Sequence, residues 1–142
     1  GFTPINTIPG LCFIPPTPTP TPTNTPTLTP TPNLPGSITG GVYYDTNGNG
    51  TRNGGEGGLN GWTVTLGNGA CSSSGAGSAN TGGSGSFSFN NVTPGTYCVT
   101  LTGPLNTCGG WTPTAGTERT VNVASGANVS VEWFGLQPII CN

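Results

Sequence analysis

Apolar and polar residues alternate in six short segments between residues 37 and 138. A period of two places every second side chain on the same face, as in a strand with one buried face. In the second segment, for example, Trp62, Val64 and Leu66 share a face. No stretch shows a helical period. The predicted strands are 38–44, 62–66, 87–89, 97–101, 121–123 and 129–134.

Turn-forming pairs separate these segments, among them several Asn-Gly pairs, Pro94-Gly95 and Ser125-Gly126. Such pairs suit the tight connections of an antiparallel sheet. About a hundred residues with short, regularly spaced strands are typical of two sheets packed face to face. We therefore predict an all-β fold, an antiparallel two-sheet sandwich of the immunoglobulin-like kind. We expect these aromatic residues in its core rather than on a ligand platform: Tyr43, Trp62, Phe87, Phe89, Tyr97 and Trp133.

A change in composition marks the N-terminal side of this domain. From Thr17 to Pro32, threonine occupies every odd position and proline most of the even ones. Proline lacks an amide donor and holds its predecessor in extended geometry, so the tract should form a polyproline II spacer. We predict an extended apolar arm at 1–16, this linker at 17–36, the sandwich at 37–138 and a tail at 139–142.

Threonine beside proline is also typical of O-glycosylated stalks. A bare linker and a glycosylated one are both consistent with the sequence, and either indicates an extracellular or cell-surface protein. The candidate glycosylation sites are Thr17, Thr19, Thr21, Thr23, Thr25, Thr27, Thr29 and Thr31.

Residues 45–56 match a calcium-binding loop position by position. In a twelve-residue loop, oxygen ligands stand at positions 1, 3, 5, 7, 9 and 12, and a glycine bends the chain at position 6. Gly50 falls at the bend. The predicted ligands of a structural Ca²⁺ are Asp45, Asn47, Asn49, Thr51, Asn53 and Glu56. The alternative is a polar loop that binds nothing.

The composition argues against several other functions. The chain has no histidine, both of its basic residues are arginine, and only four residues are acidic. The usual nucleophile–histidine pairs and catalytic lysines therefore lack their parts. A nucleic-acid interface would need a basic surface, and a membrane helix would need a longer apolar run. We predict that the protein is not an enzyme, binds no nucleic acid and does not insert into a membrane.

The chain contains five cysteines, which in an exported protein are expected to form disulfides. Cys71 follows the second predicted strand and Cys98 lies on the fourth, and we favour a bridge between them. For the others, one alternative is an intramolecular Cys108–Cys141 bridge. The second is an intersubunit bond from Cys12 to Cys108 or Cys141 of a neighbouring copy.

Several motifs together carry a family resemblance. The chain reads Gly-Val-Tyr-Tyr-Asp at 41–45 and Gly-Glu-Gly-Gly-Leu-Asn-Gly-Trp-Thr-Val-Thr-Leu at 55–66, with Gly-Ser-Phe-Ser-Phe at 85–89 and Val-Glu-Trp-Phe-Gly at 131–135. These segments resemble an SdrD B-type repeat, a family grouped with the Cna B-type, prealbumin-like domains of bacterial surface proteins. The resemblance implies a calcium-stabilised sandwich used as a stalk or adhesive module. Some members form an internal Lys-Asn isopeptide bond, which this chain cannot form because it has no lysine.

The N-terminal arm distinguishes two functional hypotheses. It is apolar for a tail, and the linker could hold it about 65 Å from its own domain. Leu11, Phe13 and Ile14 could then dock on the sheet edge of another copy. We predict an extracellular structural subunit that self-associates through this arm into a filament stabilised by calcium and disulfides. The alternative is a stalked adhesive or carbohydrate-binding module, with Trp111 stacking on a glycan; an ordinary tail remains the simplest interpretation of the arm.

Overall fold

The computed structural model describes residues 10, 14–71, 73 and 75–142. Within these residues the chain forms nine strands and no helix. The strands are β1 (Gly36–Tyr44), β2 (Thr63–Asn68), β3 (Gly77–Asn80), β4 (Ser86–Val92), β5 (Gly95–Thr102), β6 (Trp111–Pro113), β7 (Glu118–Val123), β8 (Asn128–Ser130) and β9 (Phe134–Pro138). No helix in this part of the chain is long and apolar enough to cross a membrane. The predicted all-β sandwich is confirmed.

The strands form two sheets that pack on one another. The first has the order β4-β1-β9-β6, with β8 also paired to β1, and the second has the order β3-β2-β5-β7. The second sheet is antiparallel throughout. In the first sheet, however, β1 pairs in parallel with both β8 and β9. These two parallel pairs are the exceptions in a sandwich that is otherwise antiparallel, as predicted. They arise because the chain passes through the second sheet before it returns beside its first strand.

The last predicted strand, 129–134, is divided in the structure. β8 ends at Ser130 and β9 begins at Phe134, so residues 131–133 leave the ladder between them. Strands β3 and β6 and most of β9 were not predicted. β3 reads Gly-Ser-Ala-Asn, without an apolar alternation, and β9 contains Gly135 and Pro138, which disfavour strands in general.

The core lies between the two sheets. Ile38 and Val42 of β1 are fully buried, and so are Phe134 and Leu136 of β9. Gly40 continues the inward face of β1, where a β-carbon would stand 2.7 Å from the side chains of Phe87 and Val131. Of the aromatic residues expected in the core, the following are buried: Tyr43, Trp62, Phe87, Phe89 and Tyr97.

Trp133 is the exception among these aromatic residues, because it is only half-buried. Its ring covers Gly41, where a β-carbon would lie 2.4 Å from the ring. On β1, Gly41 alternates with the buried Gly40 and Val42, so Trp133 packs on the outer face of the first sheet. The guanidinium of Arg52 lies 3.9 Å from the ring centroid.

Residues just outside the predicted domain bounds, 37–138, are hydrogen-bonded to the sandwich at both ends of the chain segment. On the N-terminal side, the Leu34 amide donates to Ser125 Oγ at 2.9 Å, and the Leu34 carbonyl accepts from the Gly126 amide at 2.9 Å. At the other end, the Ile139 amide donates to the Gly110 carbonyl at 2.8 Å. The predicted tail is therefore attached to the domain. Residues 14–35 are exposed and contain no strand.

Candidate metal centre

The candidate calcium loop, residues 45–56, leaves the end of β1 and returns to the same place. The Asp45 amide donates to the Leu136 carbonyl of β9, and the Tyr44 amide donates to the Gly57 carbonyl, each at 2.9 Å. The first of these bonds joins the loop to the last strand of the fold, and the second closes its base. Gly50 has a φ of 75°, which provides the bend expected at loop position 6.

Asp45 occupies the first ligand position and is fully buried. Its Oδ1 accepts a hydrogen bond from the Gly48 amide at 2.9 Å, and its Oδ2 accepts one from the Gly50 amide at 2.8 Å. Burial acts to raise the pKa of the Asp45 carboxyl. The Thr114 hydroxyl and the loop amides act in the opposite direction and prevail, so the pKa lies below its ordinary value. The carboxylate is therefore charged at neutral pH.

Glu56 occupies the last ligand position and is 6% exposed. Its Oε1 accepts hydrogen bonds from the Thr46 amide at 3.0 Å and the Thr46 hydroxyl at 3.2 Å. Its Oε2 accepts one from the Asn53 amide at 2.7 Å. The two carboxylates thus hold both halves of the loop through its backbone amides.

Three asparagines complete the loop as a linked set. Asn47 Oδ1 accepts from the Asn49 amide at 3.0 Å, and Asn49 Oδ1 accepts from the Thr51 amide at 2.9 Å. Asn53 Oδ1 accepts from Asn47 Nδ2 at 2.9 Å and from Asn49 Nδ2 at 2.8 Å. The structure therefore brings all five predicted side-chain ligands into one hydrogen-bonded loop. Thr51 was predicted to act through its backbone carbonyl.

The donor set suits a hard cation of modest affinity. It offers two carboxylates and three amide oxygens, and Ca²⁺ prefers six to eight oxygen ligands. Among the described residues, no three His, Cys, Asp or Glu side chains lie together as a metal site would need. A cation in this loop would therefore have only two charged ligands, and its other ligands would be neutral oxygens. An oxygen that accepts a single hydrogen bond keeps a second lone pair for a cation. Asn53 Oδ1 and Glu56 Oε1 each accept two, so each would give up a hydrogen bond in order to bind one.

The charges of the two buried carboxylates test whether the loop fits a cation, because neither carboxylate has a basic partner in the described structure. Buried charges are normally paired with an opposite charge or bound to a metal. The chain has two basic residues. Arg52 stacks on Trp133, and the guanidinium of Arg119 donates to the carbonyls of Glu118, Glu132 and Trp133. In the described structure, therefore, neither arginine neutralises the two carboxylates of the loop.

The inner wall of the loop was not predicted from the sequence. Tyr43 Oη and Thr114 Oγ1 are buried, and neither atom makes a hydrogen bond of full geometry with another described residue, although the Thr114 hydroxyl lies close enough to Asp45 to lower the pKa of its carboxyl. Both lie against Gly135, where a β-carbon would stand 2.7 Å from Tyr43 Oη and 2.4 Å from Thr114 Oγ1. Burial raises the pKa of the Tyr43 hydroxyl, and the negative charges of Asp45 and Glu56 add to the effect. Only the glycine between Phe134 and Leu136 hinted at this close packing.

Trp111, the candidate for glycan stacking, is half-buried in β6. Its ring packs edge-on against Tyr44, at 5.7 Å between centroids, and against Trp62, at 6.2 Å. It also packs against the core cluster. This position favours a packing role over a ligand platform, because the ring is held by aromatic neighbours rather than presented beside polar groups.

The structure contains two disulfides, Cys71–Cys98 and Cys108–Cys141. The first is the pairing that the sequence favoured, and the second is the intramolecular alternative. A sulfur forms only one disulfide, so this pairing leaves neither Cys108 nor Cys141 for an intersubunit bond. Cys12, Leu11 and Phe13 lie outside the described residues.

For the predicted docking and glycosylation residues of the arm and linker, the structure gives only their exposure to solvent. Ile14, the described member of the predicted docking set, is 82% exposed. The eight candidate threonines at 17–31 are exposed as well. Docking and O-glycosylation stay predictions.

Comparisons with known proteins give the family. The sequence pattern of the SdrD B-like domain matches residues 36–132. The minor pilin GBS52 of Streptococcus agalactiae has a similar structure, with a TM-score of 0.53, 13% identity, and coverage of 78% of this chain and 47% of the pilin. The major pilin SpaD of Corynebacterium diphtheriae has a TM-score of 0.51, 18% identity, and coverage of 73% and 32%.

At these identities the pilins show the fold alone, and the chain spans less than half the length of either one. A comparison with curated protein sequences gave no match. The family match covers more than half of the chain and contains the whole candidate loop. The chain therefore belongs to the SdrD B-like domain family.

Proposed function

We propose that this chain is a structural domain of an extracellular or cell-surface protein, and that Ca²⁺ bound by residues 45–56 stiffens it. The observation that carries the proposal is the pair of buried carboxylates, Asp45 and Glu56, which have no basic partner in the described structure. A bound cation would neutralise both carboxylates and fix a loop that is rich in glycine and asparagine. Without it, the loop would be held by its internal hydrogen bonds, by the bond from the Asp45 amide to Leu136 and by the stacking of Arg52 on Trp133.

The position of the loop explains how a cation would affect the whole domain. Asp45 is bonded through its amide to Leu136 of β9, and Glu56 is followed by Gly57, which is bonded to Tyr44 of β1. β1 and β9, the first and last strands of the domain, pair in parallel. A cation that fixes the loop would therefore stabilise the pairing of the first strand with the last.

An extracellular location is supported by two further observations. The two disulfides suit an oxidising compartment. The fold is shared with two bacterial pilins. A structural role also agrees with a composition that provides neither histidine nor lysine.

Self-association into a filament through the arm is the finer part of the proposal. It is supported by the exposed apolar Ile14 and by the likeness in fold to pilins. Electron microscopy of the full chain, in calcium and without reductant, should show fibres that disappear when residues 1–16 are deleted. Isolated particles from both forms would contradict self-association. The adhesive alternative has the same support from the family and the pilin fold. A glycan platform on the tryptophans is not favoured, since Trp111 packs edge-on and Trp133 lies between Gly41 and Arg52.

The calcium proposal is tested by thermal unfolding in calcium and in chelator. Extracellular modules bind with dissociation constants of about 10⁻⁴–10⁻³ M. At about 10 mM Ca²⁺, such a site contributes about 1.4–2.7 kcal/mol, which corresponds to a rise in Tm of roughly 6–20 °C for a domain of this size. Equal Tm values in calcium and chelator would refute the proposal.

Variants assign the effect to the loop. Asp45→Asn should abolish the calcium-dependent rise in Tm, because it removes the charge at the first ligand position. Glu118→Gln is the matched control, since Glu118 is exposed on β7 and lies outside the loop. A calcium effect that survives Asp45→Asn would place the binding site elsewhere.

A further inference from the structure

Asparagine followed by glycine occurs five times in the chain, at 47–48, 49–50, 53–54, 60–61 and 68–69. In such a pair, the glycine amide nitrogen can attack the side-chain amide of the asparagine, because glycine has no β-carbon to block the approach. The attack requires that the nitrogen be released from any hydrogen bond. The structure therefore decides which of the five pairs can react.

Four of the five glycine amides are held in hydrogen bonds. Two are bound by the buried carboxylate of the metal loop and two by backbone carbonyls. The bonds are Gly48 N to Asp45 Oδ1 at 2.9 Å, Gly50 N to Asp45 Oδ2 at 2.8 Å, Gly61 N to Thr81 O at 2.9 Å and Gly69 N to Thr96 O at 2.8 Å. These contacts protect the preceding asparagines.

Gly54 differs from the other four. In the described part of the chain, its amide nitrogen has no hydrogen-bond acceptor. It lies at the second position of an exposed turn that is closed by the Glu56 amide donating to the Asn53 carbonyl at 3.2 Å. The nitrogen is therefore both free and open to solvent base.

The side-chain oxygen of Asn53 also faces two hydrogen-bond donors. Asn47 and Asn49 each turn Oδ1 toward a backbone amide, which can only donate, so each presents Nδ2 to Asn53. Asn53 must therefore present its oxygen, which accepts both bonds. These two donors lie where negative charge develops on the oxygen as the carbonyl carbon is attacked, and donors placed there stabilise the transition state.

We propose that Asn53–Gly54 is a site of spontaneous deamidation within the metal loop. Solvent base removes the proton from Gly54 N, which forms a bond to Asn53 Cγ. The Cγ–Nδ2 bond then breaks, and the nitrogen takes up a proton and leaves as ammonia. The resulting succinimide is opened by water at either carbonyl, which gives aspartate or isoaspartate at position 53. One water is consumed, one ammonia is released, and nothing is oxidised or reduced.

The modification adds a third carboxylate to a loop that has Asp45 and Glu56. This consequence rests on the proposed calcium function, whereas the chemistry at Asn53 does not. Calcium affinity in such loops rises with the number of charged ligands. Without a cation, three like charges in one loop repel. The domain with aspartate at position 53 should therefore depend more strongly on calcium than the newly made one.

The test is to incubate the full chain in mildly alkaline buffer and to locate the conversion by mass spectrometry of its peptides. Asn53 should convert well before Asn60 and Asn68, which have the same following residue but a bonded amide. The Gly54→Ala variant should suppress it, and the fold has room for it, since a β-carbon at Gly54 has no heavy atom within 4 Å. Conversion of Asn60 or Asn68 as early as Asn53, or an undiminished rate in Gly54→Ala, would overturn the proposal.

The effect on cation binding is measured separately with the Asn53→Asp variant in the Gly54→Ala background. It should bind calcium several-fold more tightly than Gly54→Ala alone, by calorimetry. Equal affinities would overturn the link between deamidation and calcium. Selective conversion of Asn53 in a protein that binds no calcium would support the modification site and refute the proposed calcium function.

Discussion

The disulfide between Cys108 and Cys141 should contribute a large part of the stability of the domain. Its cysteines are separated by 33 residues, and the closed segment contains β6, β7, β8 and β9. Both cysteines are exposed, so replacing them with serine removes little buried surface. The effect of Cys108→Ser with Cys141→Ser should therefore arise mainly from the greater freedom of the unfolded chain.

The magnitude follows from the length of the closed loop. The entropy of closing a loop of this length corresponds to about 3.7 kcal/mol at room temperature. Small domains have unfolding free energies of about 5–15 kcal/mol, so the double variant should lose a quarter or more of its stability. The Tm should fall by roughly 15–30 °C.

Urea denaturation followed by tryptophan fluorescence measures this loss. The comparison is the Cys71→Ser with Cys98→Ser variant, whose loop is of similar length, with a separation of 27. That variant should lose more, because Cys98 is buried in β5 and its replacement also disturbs packing. A loss below about 1 kcal/mol for the Cys108–Cys141 pair, with the other pair behaving as expected, would refute the entropic reasoning.

Three further predictions concern packing and charge. Gly41→Ala should cost about 1–3 kcal/mol of unfolding free energy, because its β-carbon would lie 2.4 Å from the Trp133 ring. The control Gly57→Ala should be near neutral, since a β-carbon there has no heavy atom within 4 Å. Equal urea midpoints for the two variants would contradict this. Phe134→Ala should cost about 3–5 kcal/mol, since Phe134 is fully buried between the sheets; a smaller loss in the same assay would mean that the site collapses around the cavity. The lowered pKa of Asp45 stabilises the fold above the unfolded-state pKa of about 4, and this contribution is lost as the pH falls through the folded-state pKa. Asp45→Asn should remove that part of the acid sensitivity in a pH series of melting curves, and parallel curves for the two proteins would contradict the assignment.

The candidate loop was predictable because its determinants are local. Asp45 and Glu56 are eleven positions apart in the chain, and the spacing of the oxygen donors and of Gly50 can be read from the sequence alone. The alternation of Trp62, Val64 and Leu66 likewise identifies a strand, because the period of two is a property of the backbone.

The missed features depend on residues that are distant in sequence. The Gly-Ser-Ala-Asn segment of β3 forms a strand because β2 lies beside it, not because of its own preference. The parallel pairing of β9 with β1 depends on the path of the chain through the other sheet. Thr114 borders Asp45 only because β6 pairs with β9.

The sequence by itself determined the all-β class, the strands with clear alternation, the bounds of the candidate calcium loop and the favoured Cys71–Cys98 pair. Each follows from backbone periodicity, from ligand spacing or from neighbouring strands. Only the tertiary structure decided the direction of the last strand, the Cys108–Cys141 pairing and the packed state of Trp111. It also showed that Gly54, alone among five equivalent glycines, keeps an unbonded amide in the described chain. These features arise from contacts between segments far apart in sequence, which local patterns do not encode.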